Sequence, residues 1–148
     1  TLRIFYTRVP DHLAPVVASL PSVTVVGKVS HTQLLEEFRR TMFWLYPAKW
    51  CETCCSTAFE TAVSGVVQVT SSTCALRENV RGVVIPGTPG DGSWSRHALQ
   101  VITALAGDSK LRDEVRRRQH DFAAAQLWSS RARVWHDMLT APDTRYNR

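Results

Sequence analysis

The feature that most limits the fold is an alternation in which short β-branched or aromatic runs take turns with longer segments of helical period. Leu2 to Tyr6 is followed by Asp11 to Leu20, Val23 to Val26 by Thr32 to Arg40, and Met42 to Tyr46 by Ser56 to Ser64. Apolar residues three and four apart line one face of a helix, whereas short β-branched runs suit an extended chain. The pattern continues with Val66 to Thr70, a short turn of helix over Ala75 to Asn79, and Val83 to Ile85. Beyond the loop Pro86-Gly87-Thr88-Pro89-Gly90-Asp91-Gly92-Ser93 it ends in a helical tail, broken into pieces, to about Leu139. Strands separated by helices return in the same direction, so the expected class is α/β, a mostly parallel sheet with helices on both faces. At 148 residues the chain is expected to be one domain spanning 1–148, and the Pro/Gly loop a turn into the C-terminal helices.

Composition narrows the function classes. With 44% apolar and 21% charged residues the chain reads as globular. It holds no apolar run near the roughly 18 residues that span a bilayer. Its first residues lack the charged, apolar and small-residue segments of a secretory signal, so the expected setting is cytoplasmic. In that setting Cys51, Cys54, Cys55 and Cys74 are expected as reduced thiols with no structural disulfide. The net charge of +5 would attract polyanions. The densest basic run, Arg116-Arg117-Arg118, lies beside Asp113, Glu114 and Asp121 and reads as a solvated helix face. Without interleaved aromatic and basic residues or a finger signature, nucleic acid is not an expected partner. Anionic membrane surfaces and phosphate-bearing small ligands are compatible with the charge.

In open α/β sheets ligands sit beyond the carboxyl ends of the strands, where helix N-termini offer amide groups to anions. Three such ends carry chemistry: Gly27-Lys28-Val29-Ser30, the stretch Cys51 to Glu60, and Ser71 to Val80. Each also fits a plain strand-to-helix turn. Ser56 or Thr57 can cap the second helix, and Thr57-Ala58-Phe59-Glu60 fits a capping box with Glu60 reaching back. Glu52, in the loop ahead of that helix, can accept donors there or be aimed at a ligand. The run Trp50-Cys51-Glu52-Thr53-Cys54 supports a different reading, a thioredoxin-like thiol oxidoreductase with Cys51 as nucleophile and Cys54 as its partner. That fold needs a proline-led strand and an antiparallel hairpin downstream, where this chain supplies helical segments. No second Cys-x-x-Cys stands at finger spacing, so no metal site is expected.

Taken together, Phe43 to Gly87 resembles the C-terminal donor-binding domain of the retaining, nucleotide-sugar-dependent glycosyltransferases with two Rossmann-like domains, the GT-B architecture of the glycogen-synthase-like branch. The resemblance rests on Tyr46-Pro47 at a strand end, the E-x7-E pair Glu52 and Glu60, Gly65 closing the helix, the strand Val66 to Thr70 and the run Ala75 to Val80. It extends to Val23-Thr24-Val25-Val26-Gly27-Lys28-Val29 and to the closing segment Leu127 to Leu139. It implies a Rossmann-like three-layer sandwich with a helical C-terminal tail, and a nucleotide-diphospho-sugar as substrate with no separate cofactor. It also implies retention of stereochemistry and an unknown acceptor, a sugar, a lipid or a protein glycan. By the same resemblance Glu52 would face the donor sugar as the catalytic residue, with Thr53, Cys54 and Cys55 lining that sugar. Ser56 and Thr57 would meet the pyrophosphate, Glu60 the ribose hydroxyls, and Gly27, Lys28 and Val29 the nucleobase. Many members of the family carry Gly where Cys55 stands.

The family's donor domain normally opens with a further strand and helix, bearing a Gly-Arg loop and a Lys that neutralise the leaving diphosphate. This chain begins at what resembles the second strand. The expectation is therefore a fragment of a larger enzyme, inactive alone, whose sheet is completed by the missing N-terminal domain or by pairing with a second chain.

Overall fold

The computed structural model describes residues 1–5 and 8–141. Tyr6, the last residue of the first expected strand, lies outside the described residues. The fold is α/β with parallel strands, as the alternation requires. The strands fall into two sheets, where the pattern predicts one. Alternation sets element type and parallel sense, but it does not say which strands become neighbours. By contact the chain divides into two compact units, Thr1–Glu37 and Phe38–Arg148.

The first unit pairs β1 (Leu2–Phe5) with β2 (Val23–Gly27) in parallel, from Leu2 opposite Val23 to Phe5 opposite Gly27. Between them α1 is only Ala14–Ala18, shorter than the Asp11 to Leu20 span expected. Pro15 stands in its first turn, where the missing amide is tolerated, and Leu13 and Ala14 donate back to the Pro10 carbonyl as a turn. Helix α2 (His31–Phe38) opens on a capping box. The Ser30 amide and hydroxyl donate to Gln33 Oε1 at 3.0 and 2.9 Å, and the Gln33 amide donates to Ser30 Oγ at 3.3 Å.

The second unit holds β3 (Phe43–Tyr46), α3 (Ser56–Val63), β4 (Val67–Ser71), α4 (Ala75–Asn79), β5 (Val83–Ile85), α5 (Gly92–Gly107), α6 (Ser109–Ala124) and α7 (Trp128–Thr140). Its three strands run parallel in the order β3-β4-β5. The central strand β4 is buried along its whole length, because alternate side chains are covered on both faces. Val67 and Val69 enter clusters with Trp94, Ala98, Leu105 and Val115 from α5 and α6. On the opposite face Ala58, Leu76 and Val80 pack with Trp44 and Tyr46.

The polar side chains of β4 reach across elements, with Gln68 Oε1 and the Thr70 hydroxyl left buried without a hydrogen-bond partner among the described residues. Gln68 Nε2 donates to the Ala58 carbonyl and, at 3.0 Å, to Thr61 Oγ1, both on α3. Its amide donates at 3.3 Å to Oε1 of the buried Gln119 on α6, whose Nε2 donates to the Val66 carbonyl. Two buried side-chain amides thus join α3, β4 and α6 through the bonds they do make. Helix α3 ends in a Schellman motif. Gly65 takes φ 76°, its amide donates to the Ala62 carbonyl at 3.1 Å, and the Val66 amide donates to Thr61 at 3.0 Å. That turn sends the fully buried Val66 straight into β4.

The basic run on α6 is tied to backbone and acid. Arg118 donates to the carbonyls of Arg81 and Gly82 at 2.9 and 3.1 Å, and Arg116 pairs with Asp113 at 3.2 Å. Asp91 and Asp108 cap α5 and α6 by accepting the amides of Ser93 and Leu111. The Ser93 amide holds the Asp91 carboxyl below the usual aspartate range.

Candidate functional site

At the carboxyl ends of β3 and β4 the chain makes two adjacent loops, and the parallel order of the strands sets them side by side. The first runs from Pro47 to Cys55 and leads into α3, and the second runs from Ser72 to Cys74 and leads into α4. They are joined by three kinds of bond. The Ala75 amide donates to the Glu52 carbonyl at 3.0 Å, Asn79 Nδ2 donates to the Cys54 carbonyl at 2.7 Å, and Cys51 forms a disulfide with Cys74. At the base, the Ser71 hydroxyl donates at 2.7 Å to the carbonyl of Ala48, which fixes the start of the first loop against the end of β4.

The disulfide corrects the expectation of four reduced thiols. Sequence spacing carries no hint of it, because 23 residues separate the two cysteines and only the pairing of β3 with β4 brings their loops together. Cys54 and Cys55 are free thiols. Cys51 is therefore paired with Cys74, not with the Cys54 of its Cys-x-x-Cys motif.

Glu52 is half-buried between exposed neighbours, and its carboxylate is fixed from below. The Tyr46 hydroxyl, at the last position of β3, donates to Glu52 Oε1, and Trp50 Nε1 donates to the same oxygen at 2.9 Å. Tyr46 stacks on Trp44 at 4.8 Å and meets Trp50 edge-on at 6.0 Å, so the two donors belong to one aromatic ladder. Burial, followed by the hydrogen bond and charge of Glu52, pushes the Tyr46 hydroxyl well above its ordinary range and keeps it a donor. Sequence reasoning singled out Glu52 and missed Tyr46 and Trp50. An aromatic residue at a strand end, six before a loop carboxylate, was the available signal.

Helix α3 starts at Ser56, and the residue in the cap position is Cys55, with no side-chain cap bond. The capping box expected at Thr57 to Glu60 does not form, because Thr57 is already inside the helix. The box forms at Ser30 and Gln33 instead, where Ser-x-x-Gln was the legible signature. Cys55 takes φ 57° and ψ 70°, a left-handed conformation usual for Gly. It turns the chain from the first loop into α3, whose Ala58 amide donates to the Cys55 carbonyl at 2.9 Å. The Cys55 thiol packs against the Ala58 and Leu76 cluster, and burial pushes it up to about 11.

The expected site residues thus divide by unit. Glu52, Thr53, Cys54, Cys55, Ser56 and Thr57 follow one another through the first loop into α3, and half-buried Glu60 lies one turn further along that helix. Gly27, Lys28 and Val29 belong to the first unit, at the carboxyl end of β2, where Gly27 takes φ 75°. Among the described residues no group of three or more His, Cys, Asp or Glu side chains is arranged to hold a metal ion, and no helix is long and apolar enough to cross a membrane. No protein-family model matches the chain, and no curated protein is significantly similar to it.

Proposed function

We propose that the second unit is the donor-binding part of a glycosyltransferase that takes a nucleotide-diphospho-sugar, built as a Rossmann-like three-layer sandwich of the GT-B kind. The observation that carries this reading is the placement of Glu52. Its carboxylate is held by Tyr46 and Trp50 at the carboxyl edge of a parallel sheet, in the loop ahead of a helix whose cap residue, Cys55, makes no side-chain cap bond. Backbone amides at such a helix start, with the positive end of the helix dipole behind them, favour a phosphate group. Ser56 and Thr57 supply those amides and would meet the diphosphate, while Thr53, Cys54 and Cys55 line the sugar. Glu52, already accepting two donors on Oε1, is oriented to accept further ones from sugar hydroxyls and to stabilise the charge that develops as the glycosidic bond to phosphate breaks. Glu60 accepts from the ribose hydroxyls, a use in which a carboxylate takes two donors at once. On this reading transfer to the acceptor, with retention, belongs to the full-length enzyme in the cytoplasm.

The test separates the ribose role of Glu60 from a merely structural one. Calorimetric titration of the chain with uridine, guanosine and adenosine diphosphates should detect binding of at least one. Glu60→Gln replaces a charged acceptor with a single neutral oxygen and should weaken that binding by about 1.5 to 3 kcal/mol, roughly ten- to a hundredfold in Kd. Equal affinity of both proteins would remove Glu60 from the site, and no binding by the wild type would remove the donor-site reading itself.

A further inference from the structure

The loop that carries Glu52 holds three of the four cysteines, and only one of these is in the disulfide. Cys51, Cys54 and Cys74 are all solvent-exposed. Cys54 stands three residues from Cys51 in a segment without helix or strand, a spacing at which two cysteines readily bond to each other. Cys74 is held at φ 43° and ψ −124° at the second position of a turn closed by the Leu76 amide on the Thr73 carbonyl at 3.0 Å. That is the corner of a type II′ turn where Gly is the usual residue. A cysteine stays in such a conformation only while its surroundings hold it there.

We infer that Cys51, Cys54 and Cys74 form a thiol–disulfide exchange site in which Cys51 changes partner between Cys74 and Cys54. The Cys54 thiolate attacks the Cys51 sulfur. The Cys51–Cys54 bond forms as the Cys51–Cys74 bond breaks, and the proton given up by Cys54 is taken by the departing Cys74 sulfur. Nothing is oxidised or reduced overall, so no co-reactant is consumed. Cys55 is the wrong thiol for the attack: it is half-buried, packed against the core and, pushed up to about 11, almost never a thiolate at neutral pH.

The exchange has a structural consequence. In the state seen here a covalent bond ties the Glu52 loop to the start of α4. After exchange the covalent tie is gone, the hydrogen bonds from Ala75 to Glu52 and from Asn79 to Cys54 remain, and Cys74 is free to leave its left-handed turn. The site is thus a latch on the loop, and in a thiol-rich compartment a latch of this kind turns over. It stands on the cysteines alone, whatever ligand Glu52 meets.

Disulfide mapping tests it. The chain is equilibrated in reduced and oxidised glutathione buffers at neutral pH, quenched with acid, alkylated, digested and analysed by mass spectrometry. Wild type should show a Cys51–Cys54 species alongside Cys51–Cys74, and Cys54→Ser should lose the first and keep the second. Cys74→Ser should gather Cys51–Cys54 as its main bond, while Cys55→Ser should leave the wild-type pattern unchanged. Wild type going from the Cys51–Cys74 form to fully reduced with no Cys51–Cys54 species at any ratio would overturn the inference, and this readout does not depend on a variant folding. A Cys51–Cys55 bond in Cys74→Ser would overturn the role of Cys54.

Discussion

At the scale of single residues the decisive features are backbone conformations that side chains resist. Gly65, at φ 76°, completes the Schellman turn that ends α3. Space is open around it, so Gly65→Ala should lower stability through backbone strain alone, by about 1 to 2 kcal/mol. A denaturant titration with unchanged slope and a lower midpoint would show it, and no shift would mean the turn is looser than described. Cys55 occupies the same left-handed region at the other end of α3 and adds a titration. Its folded thiol, at about 11, sits above the ordinary thiol value of 9.0 because burial disfavours the thiolate. The folded state therefore binds its proton more tightly, and the stability it contributes is complete below pH 9 and lost as pH rises from 9 toward 11. In a Cys54→Ser background, which silences exchange, unfolding midpoints should fall between about pH 9 and pH 11 more steeply with Cys55 than with Cys55→Ser. Parallel curves would place the thiol in water. Gly65 was legible as a helix stop in the sequence. Cys55 was not read as a helix cap, because cysteine is no usual capping residue; the Gly that many members of the resembled family carry there was the available hint, and φ 57° shows the glycine-like conformation.

At the scale of elements most of the sequence reading survives, since strand and helix types follow from short-range periodicity. Val83 to Ile85 and Ala75 to Asn79 have the bounds that the pattern gave, and α3 differs from its expected span by one residue. The long-range events escaped it: the split into two sheets, the Cys51–Cys74 bond and the pairing of Gln68 with Gln119, 51 residues apart. Each depends on which elements become neighbours, and no local window contains that information. The approach of β5 to β4 is another such event. A methyl group at Gly82 would stand 2.7 Å from Gln68 Cβ and would also overlap the Gln68 carbonyl oxygen, part of the buried central strand. Backbone there has no room to yield, so β5 must shift. Gly82→Ala should cost about 1 to 3 kcal/mol, the range for overpacking a tight core. Thermal unfolding followed by circular dichroism measures it, and an unchanged midpoint would mean that β5 does not pack as closely as described.

At the scale of the whole molecule, the loop carboxylate was singled out in the sequence and the aromatic donors that hold it were not. Glu52 and Glu60 were singled out as the E-x7-E pair of the resemblance, whereas Tyr46 and Trp50 reach Glu52 through a loop path that Ser71, in another strand, fixes. The expected site was also spread over Gly27 to Val29 and Glu52 to Glu60, which belong to different units. That division has a consequence for folding. Every residue of the three hydrophobic clusters, from Phe43 to Val115, lies in the second unit, and β4 is covered on both faces by helices of that unit. A segment of about 100 residues with a two-sided core is within the size at which domains fold alone. Residues 38–141 expressed alone should therefore unfold in one cooperative transition, with the same slope by fluorescence and by circular dichroism, as expected of a small two-state domain. The fluorescence probe is confined to this segment, because all five tryptophans lie in it: Trp44 stacks on Tyr46, Trp50 is bonded to Glu52 and Trp94 to the Ile85 carbonyl, while Trp128 and Trp135 are exposed on α7. If the shortened chain instead melted gradually, or the two probes disagreed, the core of the second unit would need residues 1–37 to hold it, and the two units would be one domain in thermodynamic terms.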